Sequence, residues 1–134
     1  MTNDLISDTI IRLKNATLIK KKTTEVMCSK MVDSILVILK KEGFIDKYEL
    51  VEKSFKEGGR VFKVWLKYDG NGNGKITDVK RISKPGARIY VGHSGIKKVL
   101  NGIGLGIYST SQGLLSDKVA YLKNVGGEYL FEIW

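Results

Sequence analysis

The chain has 134 residues, 43% of them hydrophobic, which is enough for one packed domain or two very small ones. Its formal net charge of +9 predicts an anionic partner, nucleic acid or an acidic membrane face, although basic charge can also serve solubility alone. A single cysteine excludes an internal disulfide, which indicates a reducing compartment. The longest apolar run, residues 35–39, is too short to span a bilayer. We therefore expect a cytoplasmic protein without membrane contact.

The N-terminal part of the chain begins with a predicted helix from about Asp4 to Leu18. Its buried stripe is indicated by residues at helical spacing, which are Ile6, Ile10, Leu13 and Thr17. Arg12 falls outside this stripe and stays available for contacts. A strand over residues 23–28 is expected to follow.

A second helix is predicted over residues 30–42, with Ser29 as its N-cap and Gly43 just past its end. The expected apolar face of this helix consists of Met31, Ile35, Ile38 and Leu39. Two β-rich runs, residues 44–55 and 60–68, are joined by Glu57-Gly58-Gly59 and predict a hairpin. Residues 1–68 are therefore expected to form an N-terminal domain with the order αβαββ.

Residues 69–74, with the sequence DGNGNG, interrupt the pattern and predict a linker before a C-terminal domain over residues 75–134. Their acidic and amide residues imitate the first half of a calcium-binding EF-hand loop. The twelfth loop position, which requires a bidentate glutamate, is Lys80. We therefore expect a turn here, and no metal site anywhere in the chain.

The C-terminal domain is predicted to be mostly β with a short helix. Strands are expected over residues 76–82 and 88–92, separated by Lys84-Pro85-Gly86, and a helical turn over residues 95–100. Ser116 is the expected cap of a helix that reaches about Lys123, and the last strand covers residues 128–134.

The stretch from Gly104 to Gly113 joins a short β-prone run to three hydroxyl residues, Ser109, Thr110 and Ser111. Such hydroxyls can bind phosphate, ribose hydroxyls or base edges. An activated serine needs a neighbouring base, and the chain contains one histidine, His93. We therefore expect a loop that forms hydrogen bonds, in a protein that is not an enzyme.

A nucleotide-binding enzyme is the competing hypothesis, because glycines recur before this stretch. Their spacing is G-x-G-x-G and they lead into a strand, whereas a dinucleotide site needs G-x-G-x-x-G at the start of a helix. No cofactor is expected. Between Lys75 and Lys98 there are seven basic residues and one acid, and Tyr90 adds an aromatic face. A basic segment followed by a hydroxyl-rich loop predicts an RNA-binding surface.

The sequence resembles the small-subunit ribosomal protein S-eight family of bacteria and organelles over its whole length. The resemblance is carried in the C-terminal part by residues 81–90 (RISKPGARIY), 98–104 (KVLNGIG), 109–113 (STSQG) and 126–130 (GGEYL). In the N-terminal part it is carried by residues 4–8 (DLISD), Arg12, Asn15-Ala16 and residues 40–45 (KKEGFI).

This resemblance implies an α+β fold of two small sandwich-like domains packed together and no enzymatic activity. It implies direct binding to small-subunit (16S) ribosomal RNA, a role in assembling the central region of the subunit, and neighbouring ribosomal proteins as partners. The RNA-binding residues that we expect are Ser109, Thr110, Ser111, Gly113, Tyr90, Glu128, Lys84, Arg88, Lys30 and Arg12. The protein is expected in the ribosome of the cytoplasm or of an organelle, and as a monomer outside it.

Two alternatives stay open at this point. Glu128 either accepts a hydrogen bond from RNA or holds the Gly126-Gly127 turn through backbone N–H groups. The same surface could also serve a repressor that binds the messenger RNA of its own operon. One departure from the family pattern concerns Tyr121, where a basic residue is usual, so that Lys118 and Lys123 would have to supply phosphate contacts.

Overall fold

A computed structural model describes residues 4–53 and 59–134. It has helices together with antiparallel sheets in two separate regions, so the α+β fold is confirmed. Two compact units are present: residues 5–77 form the first, and residues 78–134 with Asp4 belong to the second. Residues 69–74 lie in the first unit, and a domain boundary at this segment stays a prediction.

The first unit has the predicted order αβαββ. Its elements are α1 (Leu5–Leu18), β1 (Thr23–Met27), α2 (Lys30–Lys41), β2 (Ile45–Lys53) and β3 (Gly59–Leu66). The strands form an antiparallel sheet in the order β1-β3-β2. Of the predicted hairpin turn, Glu57 and Gly58 lie outside the described residues.

Helix α1 buries the predicted stripe, since Ile6, Ile10, Leu13 and Thr17 are all nearly inaccessible to solvent. A threonine can be buried here because the Thr17 hydroxyl donates to the carbonyl oxygen of Leu13 at 2.8 Å. The pattern of apolar spacing was therefore sufficient to orient this helix.

Helix α2 begins as predicted, because Ser29 Oγ accepts a hydrogen bond from the backbone N–H of Val32 at 3.1 Å. Gly43 follows the helix with a φ of +83°, the left-handed conformation that favours glycine. The predicted apolar face was partly wrong: Met31 is 38% exposed, and Val32 is buried in its place. The buried residues are Val32, Ile35, Leu36 and Leu39, so the buried face is turned from the predicted Met31 and Ile38 toward Val32 and Leu36.

The segment after β3 forms a turn. Asp69 Oδ1 accepts hydrogen bonds from the backbone N–H groups of Asn71 at 2.8 Å and Asn73 at 2.9 Å. These bonds lower the pKa of Asp69, and Gly72 has a φ of +82°. The carboxylate that would begin a calcium loop therefore serves as an acceptor for the turn itself.

The second unit is mostly β, with one short α-helix among the described residues. Its elements are β4 (Val79–Arg81), β5 (Tyr90–Val91), two 3-10 turns (His93–Gly95 and Val99–Gly102), β6 (Leu105–Thr110), β7 (Gly113–Ser116), α3 (Asp117–Leu122) and β8 (Gly127–Ile133). The antiparallel sheet has the order β4-β8-β6-β7, and β5 also pairs with β8. Strand β7 was not predicted, because four residues without alternation carry no clear β pattern.

One face of the second sheet is covered by α3 and the segment before β6. Tyr108 of β6 lies opposite Tyr129 of β8, and their rings stack with centroids 4.4 Å apart. Ile96 and Ala120 pack against Tyr108 in a buried cluster. Burial together with the charge of Asp117 raises the pKa of Tyr108 to about 12.

None of the helices in residues 4–53 and 59–134 is long and apolar enough to cross a membrane.

Candidate nucleic-acid interface

The register of the second sheet brings three of the predicted RNA-binding residues into one row. Tyr90 of β5 pairs with Glu128 of β8, and Glu128 pairs on its other side with Ser109 of β6. Directly opposed residues of antiparallel strands point to the same face of a sheet. Tyr90, Glu128 and Ser109 therefore form a polar row, on the face opposite to the one that carries Tyr108.

Two glycines, Gly126 just before β8 and Gly127 as its first residue, allow this row to form. A Cβ on Gly126 would lie 2.2 Å from the carbonyl oxygen of Val91, and a Cβ on Gly127 would lie 2.1 Å from the carbonyl oxygen of Ser109. Any side chain at these positions would overlap the backbone of β5 or β6. Close approach, rather than an unusual φ, explains why glycine occupies both positions.

The three hydroxyl residues have different roles at the end of β6. Thr110 Oγ1 donates to the carbonyl oxygen of Gly113 at 2.9 Å and accepts from the backbone N–H of Gln112 at 3.0 Å. Gly113 has a φ of +96°, which glycine adopts without strain. Thr110 and Gly113 therefore shape the hairpin turn between β6 and β7.

Ser109 and Ser111 are the hydroxyls that can bind a partner. Ser109 is half-buried at the end of the strand, and Ser111 is exposed in the turn. Within residues 4–53 and 59–134, neither hydroxyl forms a hydrogen bond. The predicted hydroxyl loop thus consists of a strand end and a two-residue turn that presents two unoccupied hydroxyl groups.

Glu128, the middle residue of the row, is also the centre of a hydrogen-bond network with the loop between β4 and β5. Its Oε2 accepts from Ser83 Oγ at 2.5 Å and from Arg88 Nη1 at 2.9 Å. The same Ser83 oxygen accepts from the backbone N–H of Ile89 at 3.0 Å. Partial burial opposes ionisation of Glu128, but the bonds from Ser83 and Arg88 outweigh it and lower the pKa of the carboxyl.

The structural alternative for Glu128, hydrogen bonds from the backbone of the glycine turn, is wrong in its partners. The partners of Glu128 are a buried serine hydroxyl and a guanidinium group, and not the N–H groups of the glycine turn. The carboxylate thereby holds the loop between β4 and β5. Ser83, which is fully buried, was missed by sequence reasoning because no local pattern distinguishes it from other loop serines.

The loop held by Glu128 carries three predicted contact residues. Lys84 and Ala87 exchange backbone hydrogen bonds around the Pro85-Gly86 turn, at 3.1 and 2.9 Å. The Lys84 side chain is exposed, and Tyr90 is 71% exposed at the end of the loop. Arg88 pairs with Glu128, and that hydrogen bond raises the pKa of the guanidinium. The loop therefore offers one free cation, one paired cation and one aromatic face beside the row.

Not every cation of the predicted basic segment is available. Arg81 donates from Nη1 to the carbonyl oxygen of Leu130 at 2.5 Å, and its Nε lies 3.1 Å from Asp4 Oδ2. With a side chain only 9% exposed, Arg81 stabilises the second unit. The segment between Lys75 and Lys98 is less cationic at its surface than its composition indicates.

Arg12 and Lys30, the remaining predicted contacts, belong to the first unit. Arg12 Nε lies 3.0 Å from Asp8 Oδ2 one helical turn earlier, and both side chains are solvent-exposed. Lys30 is the exposed first residue of α2. Their role in RNA binding stays a prediction.

The polar row, the two free serine hydroxyls, the exposed aromatic ring and the neighbouring cations form a surface of a basic protein whose chemistry suits a polyanion. The described residues contain no group of histidine, cysteine or carboxylate side chains that could hold a metal ion. The chain belongs to the ribosomal protein S8 family, whose model matches residues 4–134.

The relatives of this chain include proteins named small ribosomal subunit protein uS8. One from Streptococcus agalactiae serotype Ia is 49% identical over 131 residues, which cover 98% of this chain and 97% of the relative. Others from Streptococcus uberis and from Streptococcus pyogenes serotype M5 are each 47% identical with the same coverage. The similarity thus extends over both units.

Proposed function

We propose that this protein is a structural component of the small ribosomal subunit that binds the subunit's ribosomal RNA directly through the polar row. The observation that carries the proposal is the register that places Tyr90, Glu128 and Ser109 side by side. It acts without catalysis, as a monomer before assembly, and helps to build the central region of the subunit beside other ribosomal proteins.

The chemistry of the row suits an irregular RNA helix. Regular A-form RNA hides its base edges in a deep groove, so that proteins read unpaired or splayed nucleotides and 2′-hydroxyl groups. Ser109 and Ser111 can donate to and accept from ribose or base edges, and Tyr90 can stack on a base. Glu128 Oε1, which accepts no hydrogen bond within the described residues, can accept from a base amino group.

Replacing Ser109 and Ser111 together with alanine is expected to weaken binding of a small-subunit RNA fragment about tenfold. The two hydroxyls form no hydrogen bonds within the described residues, so their loss should leave the fold unchanged. Filter binding measures the affinity, and circular dichroism checks the fold.

Two control variants sharpen this experiment. Ser94→Ala removes an exposed serine hydroxyl from a 3-10 turn of the same unit and should leave the affinity unchanged. Thr110→Ala should lower thermal stability as well as affinity, because this hydroxyl holds the turn. An unchanged affinity of the Ser109/Ser111 double variant would contradict a role of these two hydroxyls in RNA binding.

Binding is also expected to fall steeply with salt, because each lysine–phosphate contact releases condensed counterions. Lys84→Gln should reduce the slope of log K against log salt concentration by about one, while leaving selectivity between RNA sequences unchanged. Lys80→Gln, on β4 opposite Glu132, is the matched control and should leave the slope unchanged. Equal slopes for the native chain and Lys84→Gln would remove Lys84 from the interface.

A repressor role would use the same row on the messenger RNA of the operon, and no observation favours it. Competition between the ribosomal RNA fragment and operon RNA in the same filter assay distinguishes the two. Preferential retention of the operon RNA would overturn the proposed primary function.

A further inference from the structure

A pocket lies on the opposite side of the second unit from the polar row. It has a volume of about 470 Å³, within the range of about 300–1,000 Å³ that is usual for small-molecule sites. Its walls are the segment 96–98 and helix α3. Ile96 lines this pocket and packs against Tyr108, whose side chain faces away from the row.

Asp117 gives the pocket a polar atom that lacks a partner. Asp117 is one of the residues that line the pocket, and it is only 3% exposed. Oδ1 is buried and accepts no hydrogen bond from any described residue. An unsatisfied buried acceptor costs about 1–3 kcal/mol. Because Oδ1 has less than 1 Å² of accessible surface, a donor in the pocket reaches it only when the Asp117 side chain turns toward the pocket.

Lysines and apolar side chains supply the rest of the pocket. Lys97, Lys98 and Lys118 are exposed, and none forms an ion pair with a carboxylate of residues 4–53 or 59–134. Tyr121 and Leu122 are 59% and 78% exposed, so that an aromatic ring and an aliphatic group face solvent beside the three cations. The pocket thus combines an anion-binding rim, an apolar surface and an internal acceptor.

These features together exclude most occupants. Three lysines repel a cationic side chain, Asp117 repels a carboxylate that enters deeply, and a purely apolar group leaves Oδ1 unsatisfied. A nucleotide satisfies all three conditions, because it carries a phosphate, a flat base and N–H and O–H donors.

We propose that this pocket binds one unstacked nucleotide of an RNA chain. The phosphate lies among Lys97, Lys98 and Lys118, and the base packs on Tyr121. A base N–H or ribose O–H donates to Asp117 Oδ1 once that side chain has turned toward the pocket. The inference rests on the proposed function in requiring RNA as the partner, but it places a second contact on the other face of the unit.

The test is an NMR titration of the ¹⁵N-labelled full chain with adenosine monophosphate. Saturable shifts are expected in the amide signals of residues 96–98 and 117–122. Adenosine lacks the phosphate, and inorganic phosphate lacks the base and the ribose. Each should therefore bind about tenfold more weakly than adenosine monophosphate. Tyr121→Ala should lower the affinity for the nucleotide about tenfold, whereas Tyr121→Phe should retain it within about twofold.

Several outcomes would overturn the inference. If inorganic phosphate binds as tightly as the nucleotide, the lysines alone account for binding and the base contributes nothing. A glutamate-rich peptide that shifts the same signals more strongly would make it a protein-docking surface. Shifts confined to residues 109–113, or no saturable shift, would leave the pocket without a nucleotide.

The two proposals fail separately. If the nucleotide does not bind the pocket but the Ser109/Ser111 double variant still loses RNA affinity, the inference falls and the proposed function stands. If the native chain binds no small-subunit RNA fragment, the proposed function itself is wrong.

Discussion

Replacing Gly126 with alanine is expected to destabilise the second unit by about 3 kcal/mol and to abolish tight RNA binding. The new Cβ would lie 2.2 Å from the Val91 carbonyl oxygen and 2.8 Å from Gly92 Cα, both of them backbone atoms that cannot rotate away. Strand β5 must therefore move from β8, which separates Tyr90 from Glu128. Urea denaturation followed by the amide signals of β5 and β8 measures the free energy of unfolding.

Gly86→Ala is the matched control for this substitution. Gly86 lies in the Lys84–Ala87 turn, a Cβ there meets nothing within 4 Å, and its φ is not in the left-handed region. Its replacement should change the free energy of unfolding by less than about 1 kcal/mol and can be stabilising. Equal stability of the native chain and Gly126→Ala would contradict the close approach of the strands.

Replacing Glu128 with alanine is the second change with a large expected effect. It leaves the fully buried Ser83 hydroxyl without its acceptor, which costs about 2 kcal/mol, and it releases the loop that carries Lys84 and Tyr90. RNA affinity should therefore fall although a negative charge has been removed from the proposed RNA-binding surface. Thermal unfolding and filter binding measure the two effects.

The effect of pH separates the charge of Glu128 from its shape. The pKa of this carboxyl is lower in the folded chain, so its ionised form stabilises the fold above its unfolded pKa, which for glutamate is about 4.3. That stabilisation is lost as the pH falls through the lowered folded pKa. Glu128→Gln, which keeps a hydrogen-bond acceptor for Ser83, should be less stable than the native chain at pH 7 and should approach it in acid.

A pH-independent difference between Glu128→Gln and the native chain would show that the charge contributes nothing. An increase in RNA affinity on replacement with alanine would show that the carboxylate merely repels RNA. Arg88→Ala is the control for stability alone. It removes the exposed partner of Glu128 but leaves the Ser83 bond in place, so it should destabilise the fold less than Glu128→Ala does.

The sequence by itself determined the features that depend on near neighbours in the chain. The stripe of α1, the cap at Ser29 and the glycine after α2 all follow from residues within a few positions of each other. Helical periodicity and capping chemistry are local, so they can be read without the rest of the fold. The whole-chain family resemblance was confirmed by the family model, which matches residues 4–134.

Only the tertiary structure decided which residues meet. Tyr90, Ser109 and Glu128 are distant in sequence, and the register of β5, β6 and β8 places them in one row. The partners of Glu128, the burial of Ser83 and the ion pair of Arg81 with Asp4 likewise depend on contacts between residues far apart in the sequence. Sequence composition counts charges and hydroxyls, whereas strand register determines which of them remain free to bind RNA.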